Sequence, residues 1–425
     1  MSDWRSRTAV PLVSAAAGVA LLVGCGVLPG GTGGSTGPVV VMTWAPQGTN
    51  ATNMPGMPAM ASTFAKYVNA KGGIGGRELK VINCNEHNTS LGAQDCAQRA
   101  ADEGAVAVVG SYSQYGAAFT STLEAEGIPY IGGYGVTQDE FESPLSYPIN
   151  GGLTTLMAGN GRQLAGKCDK VSLVRPDTAA GDLFARFLDT GLQDAGRTKA
   201  TDLRAKEDST DYNEIARQAV GDNQADECVS AALGDKTATF FDAFRRTTTH
   251  NPLTGKDEEP KALIASVLGS VQQSTLDSTG GASSPLEGAY VTGWYPPASD
   301  ARWATMREAI SKYAFGNNDI DPDDPGVQTT WIAYTAFAEV VDEMGNDAPV
   351  TAATVKQALD KAHGISTGGL TPPLGWREQD AASIIDQPRM VNGKVTYQKV
   401  VKGQLVAVSK GFVDMTKTLE NAPRD

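Results

Sequence analysis

Apolar and polar positions divide most of the chain into short strand and helix units. Residues 39–43 form a buried-type strand run. Within residues 54–69, Met57, Met60, Ala61, Phe64 and Val68 recur near helical spacing. A strand pattern at 79–83 precedes a helix at 93–103, a strand at 106–109, a helix at 115–126 and a fourth strand at 130–131. The pattern then starts afresh with a helix at 153–165, a strand at 171–175 and a helix at 181–195. It continues through 201–205, 212–220, 228–232 and 236–247, with further strands at 262–265 and 289–292. Two windings of this order predict an α/β chain of two doubly wound, Rossmann-like lobes with parallel sheets. The last third is more helical, at 301–313 and 328–344. Trp331, Tyr334, Phe337, Ala338 and Val341 share one face of the second helix, as core residues would. Residues 390–397 and 400–408 alternate around Asn392-Gly393 and Lys402-Gly403, which predicts a late hairpin.

The first 25 residues stand outside this pattern. Arg5 and Arg7 precede an apolar stretch, 9–23, that is too short to span a bilayer. It ends in Leu22-Val23-Gly24-Cys25, which resembles a bacterial lipobox. Residues 1–24 therefore read as a lipoprotein signal peptide, with cleavage before Cys25 and lipid on its thiol. Residues 25–37 read as the lipidated Cys and a Gly-rich tether with an r.m.s. reach of roughly 20 Å. The expected location is extracytoplasmic, anchored to the cell membrane by lipid.

Export changes the meaning of the other cysteines. Cys84, Cys96, Cys168 and Cys228 are an even set in an oxidising compartment, and none lies in a CxxC pair. Four cysteines allow three connectivities, of which Cys84–Cys96 and Cys168–Cys228 are favoured. The first joins a strand end to the following helix. The second joins the starts of two apolar runs that neighbouring parallel strands would bring together. The shorter loop would contribute roughly 3 kcal/mol in the chain-entropy picture.

Composition then narrows the classes. At 425 residues the chain is long enough for two or three domains. Its formal charge is -13, and cleavage removes Asp3, Arg5 and Arg7, a net +1, leaving -14. That balance argues against nucleic acid as a partner. Three scattered His (His87, His250, His363) and the lack of HExxH argue against an enzyme and against a metal or cofactor. The run Asp319–Asp324 lacks the Gly and Glu of a calcium loop and reads as a solvated loop before a helix.

The segment Val68-Asn69-Ala70-Lys71-Gly72-Gly73-Ile74-Gly75-Gly76-Arg77-Glu78-Leu79 resembles the INAxGGIxGRxL stretch of branched-chain amino-acid-type solute-binding proteins of ABC importers. Residues 93–113, 170–181, 288–296 and 331–343 are similar to later parts of that family in the same order. The resemblance implies a type I periplasmic-binding fold: two lobes, three crossovers and a ligand cleft between them. Lobe 1 would comprise 38–150 plus 296–367, and lobe 2 would comprise 151–295 plus 368–425. Crossovers are placed near Asn150, near Trp294 to Pro296, and near Gly368 to Leu374. The implied partners are a small-molecule ligand and ABC permease subunits, with the binding protein a monomer. A surface receptor module of the same fold is the alternative.

Ligands of open α/β sheets bind beyond the carboxyl ends of strands. Ser111, Tyr112 and Ser113 follow the third strand and suit an acceptor-rich ligand group, although either Ser could instead cap the next helix. Tyr134, Gly135 and Thr137 lie in the loop that the family uses second. Trp44 is either core or cleft wall. In lobe 2 the resemblance points to Asp177 and to Ala180, where the family has Tyr. Asp235 is the one acid placed to meet an ammonium group. The ligand stays open among amino acids, amides, polyamine-like solutes and organic acids. One test concerns the anchor: Cys25→Ala protein is expected to stay unlipidated and leave the membrane fraction, and continued membrane partitioning would refute the lipobox.

Overall fold

The computed structural model describes residues 37–49, 52–206, 208–251, 254–384 and 386–422, apart from the side chains of Ala179 and Ala180. The signal peptide, Cys25 and all but the last residue of the tether lie outside them.

The first winding runs β1 (Val39–Ala45), α1 (Gly56–Asn69), β2 (Leu79–Asn85), α2 (Ser90–Asp102), β3 (Ala107–Val109), α3 (Gly116–Glu126), β4 (Tyr130–Ile131), α4 (Asp139–Glu142) and β5 (Ser146–Tyr147). Its five strands are parallel in the order β2-β1-β3-β4-β5. The second winding runs α5 (Gly152–Ala165), β6 (Lys170–Pro176), α6 (Ala179–Asp194), β7 (Thr201–Ala205), α7 (Asn213–Ala219), β8 (Glu227–Ala231), α8 (Thr237–Arg245), the β9–β10 hairpin (Thr249–Asn251, Lys256–Glu258), β11 (Leu263–Val267), α9 (Gln273–Ser278) and β12 (Tyr290–Gly293). The chain then returns to pack α10 (Ala304–Tyr313) and α11 (Pro325–Met344) beside the first sheet, followed by α12 (Ala352–Lys361), β13 (His363–Ile365) and β14 (Leu374–Gly375). It ends with β15 (Lys394–Val401), β16 (Gln404–Ala407), β17 (Val413–Asp414) and α13 (Thr416–Glu420). The second sheet has the order β16-β15-β12-β11-β8-β6-β7, antiparallel only where β15 joins.

Apolar runs became strands because a parallel sheet buried on both faces needs side chains of one kind on both. Glycine explains the sharp turn between α1 and β2. Gly73 has φ +84°, and a Cβ there would collide with the Arg77 carbonyl. Asn69 brackets this turn, since its side chain donates to the Leu79 carbonyl (2.9 Å) and accepts from the Leu79 N–H (2.8 Å). The predicted face of α11 is core: Tyr334, Phe337 and Val341 are fully buried, and Trp331 packs edge-on to Phe64.

Both favoured disulfides are present, each with Cα atoms 5.8 Å apart. The late hairpin is shorter than the pattern predicts and turns at Lys402-Gly403, both at positive φ. Asn392-Gly393 is not a hairpin turn. Asn392 donates to the Ile149 carbonyl (2.9 Å), and β15 starts only after it. Residues 363–375 form the β13–β14 hairpin beside the first sheet, and the Trp376 indole donates to the Pro148 carbonyl (2.8 Å). The chain therefore reaches the second sheet at residues 390–394. Short or weakly apolar elements such as β5, β13, β14 and α12 carry too little pattern to be read from sequence.

Helices α5 and α6 touch backbone to backbone. A Cβ on Gly161 would overlap the Leu188 carbonyl, and one on Gly191 would overlap the Ala158 carbonyl. Gly191→Ala is expected to cost about 1–3 kcal/mol through overpacking. Urea melts would check this, and an unchanged midpoint would mean that the helices separate freely.

Candidate functional site

The loops beyond β3 and β4 are cross-tied by their own polar groups. The Ser111 hydroxyl accepts the Trp44 N–H (3.1 Å), while the Ser111 carbonyl accepts the Tyr134 N–H (3.0 Å) and the Tyr130 hydroxyl (3.2 Å). Ser113 accepts the Tyr115 N–H (3.1 Å) and donates to Glu86 (3.2 Å), but Tyr115 holds the N-cap position of α3 and the helix has no side-chain cap, so neither Ser caps it. Both Ser hydroxyls are thus engaged within the protein. Glu86 follows β2 and is fully buried. Burial pushes its carboxyl up to about 7, against hydrogen bonds from Ser113 and the Asn88 N–H.

Glu140 shapes the next loop. Its carboxylate accepts the N–H groups of Gly135 (3.1 Å), Val136 (2.9 Å) and Thr137 (3.0 Å), together with the Thr137 hydroxyl (3.3 Å). Burial raises its pKa, and these bonds oppose the rise. Gly135 and Thr137 therefore give their donors to Glu140. Sequence reasoning missed both acids. For Glu140 a signal existed, because Thr137-x-x-Glu140 is capping-box spacing.

Aromatic rings floor the region. Tyr134 meets Tyr112 edge-on at 5.3 Å between centroids and Trp294 at 5.2 Å. Tyr112 and Tyr134 are each 5% exposed. The Trp294 indole donates to the Gly152 carbonyl (2.9 Å), and the Tyr295 hydroxyl bonds to Asn150 and Thr329, both at 3.0 Å. Trp44 belongs to the core, edge-on to Phe119 at 5.3 Å on the α2–α3 side of the sheet.

Across from these loops stand turns of the second winding. Asp235 is exposed, in a single 3-10 turn after β8. The Gly234 N–H beside it donates to Ser270 (3.1 Å). A Cβ on Gly269 would lie 3.0 Å from the Tyr134 hydroxyl. Asp235 and Tyr134 thus share one neighbourhood. Asp177 is exposed and pairs with Arg204 on β7 (3.5 Å), and Ala180 lies in the first turn of α6. Asp324 caps α11, one oxygen accepting the Gly326 (2.8 Å) and Val327 (2.9 Å) N–H groups. The acidic run is thus half-buried at a helix start, where sequence read a solvated loop. Beside the aromatic floor lies a groove of about 810 Å³, counted with its open solvent, between Gly135–Gln138 and Leu183–Phe187. Among the described residues no three His, Cys, Asp or Glu group as metal ligands, and no helix is long and apolar enough to cross a membrane.

Residues 40–388 match the family model described as periplasmic binding protein. This chain belongs to that family. Periplasmic binding proteins bind solutes, act outside the cytoplasm and are not enzymes. Solved structures agree on the fold. A fatty acid ABC transporter substrate-binding protein from Thermomonospora curvata superposes with TM-score 0.69 at 16% identity, covering 91% of this chain and 97% of that one. A solute-binding protein from R. palustris in complex with benzoate gives 0.66 at 12% identity, covering 89% and 98%. A leucine-binding protein from Thermotoga maritima gives 0.64 at 13%, covering 88% and 99%. No curated protein matches the chain.

Glu86 gives this binding protein a testable pH response. Its folded pKa of about 7 exceeds its usual 4.5, so folding takes up a proton between those values. Stability from this group is full below pH 4.5 and falls as pH rises through 7. Glu86→Gln is expected to remove that fall, worth at most about 3 kcal/mol. Urea melts of both proteins at pH 5 and pH 8 would show it, and equal losses in both would rule Glu86 out as the source.

Proposed function

We propose that this protein is the lipid-anchored solute receptor of an ABC importer. It captures a small polar solute (an amino acid, amide or organic acid) between its lobes and delivers it to permease subunits. Lobe 1 is taken as residues 38–150 plus 296 to about 390, and lobe 2 as 151–295 plus about 394–425. The boundary after 367 expected from sequence is moved because β13, β14 and Trp376 pack beside the first sheet. The proposed contact residues are Ser111, Tyr112, Ser113, Tyr134 and Asp235. Gly135 and Thr137 set the loop's shape, and Asp177 and Ala180 lie at the start of α6. The protein acts as a monomer without a cofactor.

The observation that carries this reading is the approach of the Tyr134 hydroxyl to Gly269, from two sheets joined by only three passages. A solute entering there touches both lobes. An open form would bind it on lobe 1, and the closed form is then selected by the contacts that lobe 2 adds. A permease that reads the closed form receives the load. Leucine, benzoate and fatty acid occur in the names of structures of this fold, which supports a small organic solute without selecting one.

Native mass spectrometry of the purified protein is expected to reveal a bound small molecule. Stripped protein given that molecule should compact in small-angle scattering. Binding without compaction would count against capture by closure.

A further inference from the structure

Three lysines and three aromatic rings gather at one end of the first winding. On α1, the Lys71 ammonium lies 3.9 Å from the centre of the Tyr67 ring and donates to the Tyr67 hydroxyl (2.6 Å). Tyr67 meets Tyr313 of α10 edge-on at 6.3 Å, and the Lys66 ammonium reaches the Tyr313 carbonyl (3.4 Å). Lys312 stands 5.2 Å from the centre of the Tyr313 ring. Phe315 follows in the turn after α10 and is 92% exposed, more than any other large apolar side chain among the described residues. A ring left in water gains nothing from folding, so burial elsewhere would be favourable. Among the described residues none of the three lysines has a carboxylate within 4.0 Å. Exposed acids stand on neighbouring segments (Glu78, Glu308 and Asp319), unpaired with these lysines.

A second observation is where the chain enters the fold. β1 begins at Val39, which pairs with Leu79, and the Leu79 backbone is bracketed by Asn69, two residues beyond Tyr67. The patch therefore lies at the amino ends of β1 and β2. Residues 25–37, the tether, join that same end to Cys25, with a reach of roughly 20 Å. The cleft loops follow the carboxyl ends of these strands. β1 is seven residues long, which puts them roughly 20 Å further from the entry point.

We propose that this end of lobe 1 seats on the headgroup layer of an anionic bilayer, with Phe315 at the interface and Lys66, Lys71 and Lys312 against lipid phosphates. This rests on the lipobox reading of Cys25, which supplies the bilayer. Aromatic rings settle at headgroup level, and lysine stems lie along apolar surface while their ammonium groups reach the phosphates. The net charge of -14 does not forbid the contact, because charges beyond about 8 Å are screened at physiological salt. Such a contact is weak alone, but the tether holds the patch at high local concentration. The seat fixes orientation: the amino ends of the strands face the bilayer, and the cleft loops stand away from it.

The test uses the mature chain from Gly26 with a histidine tag in place of the lipid, recruited to vesicles that carry a nickel-chelating lipid. One set of vesicles is phosphatidylcholine alone and the other is half phosphatidylglycerol. Hydrogen exchange by mass spectrometry follows residues 66–72 and 312–318. Both segments are expected to exchange about tenfold more slowly on the anionic vesicles than in solution. Phe315→Ser, and separately Lys66→Gln with Lys71→Gln and Lys312→Gln, should abolish that protection, whereas Phe315→Trp should keep it. All four side chains are exposed, so the urea midpoints of these variants should stay in place. No protection on the anionic vesicles overturns the proposal, as does equal protection on phosphatidylcholine or protection that Phe315→Ser and the lysine variant leave unchanged. Protection on native cell membranes but not on protein-free vesicles assigns the patch to a membrane protein and also overturns it. Because the tag replaces the lipid, a failed lipobox leaves this readout intact, and a failed patch leaves lipidation of Cys25 intact.

Discussion

Everything about the cleft depends on how three passages of chain are bound to one another. Asn150 donates to the Tyr295 hydroxyl, Tyr295 bonds on to Thr329, the Trp294 indole holds the Gly152 carbonyl, and Asn392 holds the Ile149 carbonyl. These are side-chain bonds inside a nearly dry region, where an unpaired group is costly. They fix where each passage sits but leave few dihedrals on which the lobes can turn. The same seat carries the aromatic floor, because Trp294 that pins the passage also meets Tyr134. Hinge and site are thus one piece of packing.

The polar design of lobe 1 follows a second rule. Its ligand-side loops are bound down from behind by buried acids. Glu140 gathers the 135–137 N–H groups into one small nest, and Glu86 ties the Ser113 turn to the end of β2. Each acid costs desolvation and regains part of it through hydrogen bonds, which is why both titrate above their ordinary range. What lies on the ligand side is a layer of packed, largely buried rings and turns, with its polarity directed inward.

Sequence pattern carried the architecture well, because buried parallel strands leave apolar runs and glycine turns leave clusters such as Gly72–Gly76. It carried the site less well. Trp44 follows a strand and looked like a possible wall, yet it alternates with Thr43 and so shares the face of Met42, which is core. Asn392-Gly393 has the chemistry of a hairpin turn, but the Asn side chain is used across space by Ile149. Glu86 has no local signature, since its burial depends on helices and strands distant in sequence. Asp324 looked solvated because its function as a cap depends on Pro325 starting the helix, three residues before the pattern suggested. Local chemistry was legible, whereas the partners supplied by the fold were not.

Gly269 has a consequence for how such a receptor could be retuned. With no side chain, it lets the Tyr134 hydroxyl come close, so the two lobes approach there without a side chain between them. The measured affinity of a closing receptor includes the free energy of closing itself. A side chain at position 269 would have to take φ +90° and would press on the Tyr134 hydroxyl, shifting the balance between the two shapes and hence the solute concentration that loads the protein. Lineages could then adjust uptake to scarce or plentiful supply through this one position.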